Sequence, residues 1–278
     1  MRTPMEPQPP EHLRSRRWRP APLISVSVAV HSAAASLASL RPALWPWAAG
    51  AVAANHIVLA ASGLWPRSGL LGPNWTRLPD TAITRGKIAI TIDDGPDPEV
   101  TPTVLDILAE HRARATFFCI GKRLAARPDL ARSIISRGHS IENHSQHHLH
   151  RFSVLGPRAM AREILAAQEI ISTITGVCPV FFRAPAGLRN PFLDPILSRM
   201  DLKLASWTRR GFDTVTRDPG LVLDRLTAGL RSGDILLLHD GNAARSRRGA
   251  PIIVEVLPAL LKRVASAGLD TIALRSAH

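Results

Sequence analysis

Tyrosine is missing from the 278 residues, and six tryptophans and seven phenylalanines bring the aromatic share to only 5%. No stretch interleaves aromatic with basic side chains, so the stacking platform that single-stranded nucleic acid requires is not there. No nucleic-acid partner is expected. Cysteine is almost absent too. Cys119 and Cys178 lie far apart in apolar surroundings, TFFCIG and GVCPVFF, and in no zinc-like spacing. Buried free thiols are the default expectation, with a single disulfide left open. Acidic residues are scarce beside basic ones, 22 against 35, which gives a formal charge of +13. Charge alone does not choose among nucleic acid, anionic lipid and an anionic substrate.

Charge is missing altogether from two stretches. Residues 1–20 are polar, with Arg14, Arg16, Arg17 and Arg19 closely spaced, and then no Asp, Glu, Lys or Arg occurs in 21–40 or in 43–65. Each stretch has about the 20 residues that a helix needs to cross a bilayer. The reading is a basic tail over 1–20 and two membrane helices in a hairpin over 21–65, touching membrane lipid. The tryptophans Trp45, Trp47 and Trp65 suit the interfaces. A secretory signal is the competing reading, because a basic start, an apolar core and small residues at 33–35 fit one. Arginines precede the first stretch and Arg67, Arg77, Arg85 and Lys87 follow the second, with only Arg41 between. The positive-inside rule then puts both ends, and the main domain, on the cytoplasmic side of the inner membrane. A hairpin this short leaves the periplasmic side open. Residues 66–86 read as a linker.

From residue 87 to the C-terminus short apolar runs alternate with amphipathic segments. The runs are 88–92, 115–120, 140–142, 180–182, 203–207, 235–238 and 271–274; the helical stretches are 102–111, 128–137, 157–173, 192–200, 219–231 and 254–267. Such alternation implies a parallel sheet covered by helices, an open sheet or a barrel. Reactive residues fall at the C-terminal ends of the runs: Asp93 and Asp94, His144 and His148, Arg183, Asp213, and His239 with Asp240. In a parallel barrel those ends form the face that carries active sites.

Asp93 and Asp94 end a buried run just before Gly95-Pro96. Two adjacent carboxylates repel each other and call for a cation or a shared proton. His144 and His148 are spaced i, i+4, which puts two imidazoles on one side of a helical turn. With one carboxylate they make a donor set for zinc or another divalent first-row metal such as cobalt. The second carboxylate is then free to act as a base.

TIDDGP, HSQHH, RAPAG (183–187) and LLH (237–239) occur in the order and approximate spacing of the polysaccharide deacetylases, and the region from Lys87 onward resembles that family, with its NodB homology domain. The resemblance implies a distorted (β/α) barrel with about seven parallel strands over 87–278, preceded here by the membrane hairpin. It implies a metal-dependent hydrolase that removes an acetyl or formyl group from the nitrogen of an amino sugar, in a polysaccharide or a lipid-linked glycan. By position Asp94, His144 and His148 resemble the metal ligands, and Asp93 the base that takes a proton from the attacking water. His239 resembles the general acid and Arg183 the arginine that steadies the base. The N–H of Ala186 resembles the oxyanion donor and Leu237 the wall of the acyl pocket.

Two departures bear on substrate. Ala186 stands where family members often carry an aromatic residue, and Asp213 is followed by Thr214 where tryptophan is usual. Asp213 still suits a partner of Arg183 or His239, but an aromatic wall for a sugar ring is expected to be missing. Arg189, Arg209, Arg210, Arg245, Arg247 and Arg248 fall in loops after the strands. With the hairpin they suggest an anionic, lipid-linked amino sugar at the membrane surface. A catalytically silent carbohydrate-binding protein on the same barrel is the alternative.

Overall fold

The computed structural model describes residues 18–277, so most of the basic tail lies outside the described residues. Helices α1 (Pro22–Leu40) and α2 (Trp45–Leu64) pack against each other as a hairpin. Both are long and apolar enough to cross a membrane, with mean hydropathies of 1.7 and 1.3. The polar residues that interrupt the two stretches face one another. Asn55 Nδ2 donates to Ser27 Oγ at 2.9 Å, and the His31 and His56 rings meet at 3.3 Å. Polar side chains paired between helices need no water, and Val26, Val28, Ile57 and Val58 are left on the outside.

The remaining helices are α3 (Asp80–Ile83), α4 (Thr101–Glu110), α5 (Gly121–Ala126), α6 (Pro128–Ser136), α7 (Pro157–Thr175), α8 (Leu193–Arg199), α9 (Pro219–Thr227) and α10 (Ile252–Ser266). Asp218 caps α9 by accepting from the N–H groups of Gly220 and Leu221. The strands are β1 (Lys87–Asp93), β2 (Ala115–Cys119), β3 (Ser140–Asn143), β4 (Phe181–Phe182), β5 (Lys203–Leu204), β6 (Arg209–Arg210), β7 (Ile235–His239) and β8 (Asp270–Thr271). They run β5-β4-β3-β2-β1-β7-β6 in space, with β8 beside the start of β1, and every ladder between them is parallel. One segment closes the curl. Its beginning, β5, pairs with β4, and its end, β6, pairs with β7. The sheet is therefore a distorted barrel of seven chain segments.

The alternation of side chains across each strand sorts the core into two layers. Ile88, Ile90 and Ile92 of β1, Phe117 and Cys119 of β2, and Leu236 and Leu238 of β7 pack outward against α4, α9 and α10. Ala89, Phe118, Ile235 and Leu237 pack inward with Phe181 and Trp207. Thr91 and Asp93 share the inward parity of Ala89, and His239 that of Leu237.

Four expectations are corrected. His144 and His148 stand on no helical turn: residues 144–148 are a loop after β3, in which Ser145 (φ 64°) and His148 (φ 50°) take left-handed conformations that bring the two rings together. The run 271–274 pairs only through Thr271, and Leu274 opens a short 3-10 turn. Arg209–Arg210, read as loop, is a strand. Cys178 is exposed rather than buried, and both cysteines are free thiols.

Residues 66–86 are tied to the barrel along their length. Trp75 bridges to Ala205, Arg77 pairs with the buried Asp234 at 2.8 Å, and Leu71, Leu78 and Ala82 are buried. The end of α2 is fastened as well. Arg189 donates its backbone N–H to the Gly63 carbonyl at 3.1 Å and its side chain to the Ser68 carbonyl, while Ser206 Oγ donates to the Pro66 carbonyl at 2.6 Å. Glycine is required at 63, because a Cβ would collide with the Arg189 carbonyl.

Candidate active site

The C-terminal ends of the strands open into a cleft of about 750 Å³ lined by Asp93, Asp94, His144, His148, Ala186, Leu237 and His239, together with Trp207 and Arg210. Of the residues matched to the four motifs all reach it except Arg183, which with Asp213 stands behind the wall; Asp240 is buried out of the cleft, and of the six loop arginines expected around it only Arg210 lines it. Arg183 is 1% exposed and lies inside the barrel. Its Nη1 donates to Asp93 Oδ1 at 2.6 Å and to Thr91 Oγ1 at 2.8 Å, and its other nitrogens donate to the Ala205 and Ser206 carbonyls. Thr91 and Asp93 are two residues apart on one strand, so they present acceptors on the same face. The guanidinium also lies 4.0 Å from the centroid of the Phe118 ring. Burial lowers the Arg183 pKa, and the Asp93 charge opposes that pull.

Asp94, His144 and His148 offer ligand atoms within 4.8 Å of one another, a divalent-metal site. Asp94 Oδ1 is 3.3 Å from His144 Nε2 and 3.2 Å from His148 Nε2. That oxygen is buried and has no hydrogen-bond donor, the condition of a carboxylate oxygen waiting for a cation. Asn242 Nδ2 holds the other oxygen at 3.0 Å, a contact that sequence reading missed because Asn242 belongs to no recognised motif. His144 Nδ1 lies 2.8 Å from the Arg183 carbonyl, to which it donates; Nε2 then keeps its lone pair for a metal. His148 is neutral in the neutral pH range. Burial and the neighbouring His144 bring its pKa down to about 4, against the pull of Asp94 and Asp93. Burial raises the Asp94 pKa, but the neighbouring His144, with His239 and His148, outweighs it and holds the carboxyl well below the ordinary range. The residues present therefore suit a divalent ion.

His239 faces the triad with Asp213 behind it. Asp213 Oδ1 lies 2.9 Å from His239 Nδ1, and Oδ2 accepts the His239 backbone N–H at 2.7 Å. Burial lowers the His239 pKa, yet the charge and hydrogen bond of Asp213, with Asp93 and Asp94, raise it to about 9. Asp213 thus serves His239, while Arg183 serves Asp93; the sequence had left Asp213 open between the two. Folding is linked to the same proton: with its pKa lifted from 6.5 to about 9, protonated His239 adds stability fully present below pH 6.5 and lost as pH rises through about 9. Asp240, buried beside it, has its pKa raised to about 7 by burial, against hydrogen bonds from Thr101 and Gly241.

Ala186 has φ 54°, a left-handed conformation uncommon outside glycine, and its N–H donates to no described residue. Gly187 follows, and a Cβ there would run into the Trp207 ring and Pro66. Trp207 gives the cleft an aromatic wall that sequence reading had placed at position 214 and found missing; Thr214 lines the cleft too.

A polysaccharide deacetylase family model matches residues 81–205. The chain is 34% identical over 178 residues to a peptidoglycan-N-acetylglucosamine deacetylase of Bacillus cereus, covering 63% of this chain and 82% of that protein. It is 35% identical over 174 residues to a chitooligosaccharide deacetylase of Sinorhizobium fredii, covering 59% and 76%. Among solved structures, a CE4 family pseudoenzyme from Bacillus anthracis superposes with a TM-score of 0.65 over 73% of this chain and 68% of its own, at 20% identity, a likeness of fold alone.

Proposed function

This chain belongs to the polysaccharide deacetylase family, and on that premise we propose how its cleft divides the work of hydrolysis. The protein is a metal-dependent hydrolase of the deacetylase type, acting on the N-acyl group of an amino sugar. The observation that carries this is the orphaned Asp94 oxygen between two imidazole nitrogens, beside a second carboxylate that is not needed as a ligand. A divalent ion held by Asp94, His144 and His148 supplies Lewis acidity and can lower the pKa of a water to about 7. Two imidazoles and one carboxylate favour zinc among the candidates.

Asp93 is the general base. Arg183 holds its Oδ1, while Oδ2 stays 3.8 Å from His144 Nε2 and faces the triad, positioned to take a proton from the attacking water. Ala186 N–H donates to the oxygen that gains charge. His239, held at Nδ1 by Asp213, gives a proton from Nε2 to the departing amine, which is otherwise a very poor leaving group. Leu237 walls the space for the acyl methyl. Replacing Asp213 with Asn removes the charge that supports protonated His239, so the alkaline limb of log kcat/KM against pH moves to lower pH than in the wild-type enzyme. An unmoved limb contradicts the assignment of His239 as the acid.

The substrate proposed is an anionic, lipid-linked amino sugar bearing an acetyl or formyl group. Its support is the anchoring of the end of α2 to Arg189 through Gly63, and of Pro66 just beyond it to Ser206, next to cleft residues Gly187 and Trp207. The catalytic domain is taken as 87–278, strapped by 66–86 to a hairpin over 21–65. Both ends are assigned to the cytoplasmic side of the inner membrane from the flanking arginines. A reporter fused to the C-terminus and active only outside the cytoplasm is expected to stay silent; activity reverses the topology.

The function is tested by presenting N-acetyl and N-formyl amino sugars, free, polymeric and lipid-linked, to metal-loaded protein. Acetate or formate release from at least one is expected. Binding of a sugar without release from any favours the silent-binder alternative.

A further inference from the structure

The arginines near the cleft are not equivalent. Arg183 is tied to Asp93, Arg123 donates to the Asp94 carbonyl and to Asn242, and Arg209 pairs with Asp234 at 2.6 Å. Arg245, farther along, faces Glu99 at 3.0 Å. Arg210 has no such partner. Its guanidinium makes no hydrogen bond or ion pair among the described residues, and its Nε is buried without an acceptor.

The barrel closure aims this one cation into the cleft. In the β6–β7 ladder Arg210 stands opposite Leu237, a cleft residue, whereas Arg209 stands opposite Leu236 of the outer layer and turns to Asp234. Two aromatic rings hold the guanidinium: its carbon lies 4.9 Å from the Phe212 centroid and 5.5 Å from that of Trp207. Aromatic stacking satisfies the faces of a guanidinium and leaves the N–H fork in its plane to meet a planar or tetrahedral oxyanion. A half-buried arginine with no carboxylate, beside the acyl pocket, is the arrangement expected where the missing anion arrives with the substrate.

We propose that Arg210 is a specificity-determining residue that binds an anionic substituent, phosphate or carboxylate, of the N-acylated amino sugar; this rests on the hydrolase reading above. Lys122, exposed on the cleft rim, adds positive field without a fixed geometry.

The test compares N-acetylglucosamine 1-phosphate, N-acetylmuramic acid and the neutral N,N′-diacetyl form of chitobiose on the full chain in detergent. Arg210→Gln is expected to lower kcat/KM for an anionic sugar about tenfold or more relative to the neutral sugar, mainly through KM, as loss of a charge-assisted hydrogen bond does. Arg210→Lys restores part of the ratio. Whichever anionic sugar loses more identifies the group as phosphate or carboxylate. Arg132→Gln, an exposed arginine on α6, removes the same charge and is expected to leave the ratio unchanged. Calorimetric binding of the two anionic sugars gives a readout that needs no turnover: tenfold weaker binding to Arg210→Gln is expected. Equal loss on charged and neutral sugars, no loss on either, or the same loss in Arg132→Gln overturns the proposal. If the wild-type protein hydrolyses nothing, the hydrolase reading fails, and the calorimetry still decides for or against Arg210.

Discussion

Asp93→Asn lowers kcat by roughly 10²- to 10⁴-fold while the protein keeps its metal, the range that loss of a general base gives. Asn matches the carboxylate in shape and still offers an oxygen to Arg183 Nη1, but it takes no proton. Because Asp93 is no member of the cluster formed by Asp94, His144 and His148, metal content measured by elemental analysis is expected to match wild type. The change also leaves the Arg183 guanidinium buried without a countercharge. Breaking a buried ion pair costs about 3–5 kcal/mol in the general case, and the Thr91, Ala205 and Ser206 acceptors keep this one toward the lower end. A thermal midpoint measured alongside kcat separates the two effects. If kcat stays within tenfold of wild type in a folded, metal-bound variant, Asp93 is not the base.

Asp94→Asn is expected to empty the metal site. The substitution replaces a charged oxygen that lies between two imidazole nitrogens, at 3.3 and 3.2 Å, with a neutral amide. Loss of an outer contact to a metal ligand already costs about 10- to 100-fold in affinity, so loss of a charged ligand is expected to exceed about 100-fold. Two readouts follow. Elemental analysis after dialysis finds no retained divalent metal, and adding the metal no longer raises the thermal midpoint, because only an ion that binds the folded state stabilises it. The apo protein loses pH sensitivity as well. Asp94, with its folded pKa depressed, contributes stability above pH 3.8 that fades as pH falls further toward the folded value, and Asn has no such contribution. A variant that retains metal after dialysis would remove Asp94 from the ligand set.

Much of this was legible because the chemistry sits where regular strands end. The run KIAITID is long enough to announce a buried strand, and its parity alone puts Thr91 and Asp93 on one face and Ile88, Ile90 and Ile92 on the other. His144 and His148 were legible as a pair of imidazoles, but not from helical spacing, because left-handed residues in a loop rather than a helical turn bring them together. What escaped was short or dispersed. Arg209–Arg210 is a strand of two charged residues, too brief for any period and lacking β-branched or aromatic character, so nothing local distinguishes it from a loop. Asn242 and Trp207 belong to no motif and enter the cleft only because distant segments converge there. The run 271–274 was over-read because apolar residues that pack under a barrel look like a strand whether or not they pair.

Local pattern already specifies the two apolar helices, the alternation that makes a parallel barrel, and the cast of the cleft: two carboxylates, three histidines and an arginine. Those rest on local pattern and residue chemistry, which a chain carries in any conformation. Which side chain partners which follows from the packing of distant segments. That packing gave Arg183 to Asp93 and Asp213 to His239, left one oxygen of Asp94 without a donor, and bent the segment from Lys203 to Arg210 so that it closes the barrel. Partnerships of this kind join residues 26 to 90 positions apart, and at such separations pairing follows from how strands curl and pack rather than from any neighbour in the chain.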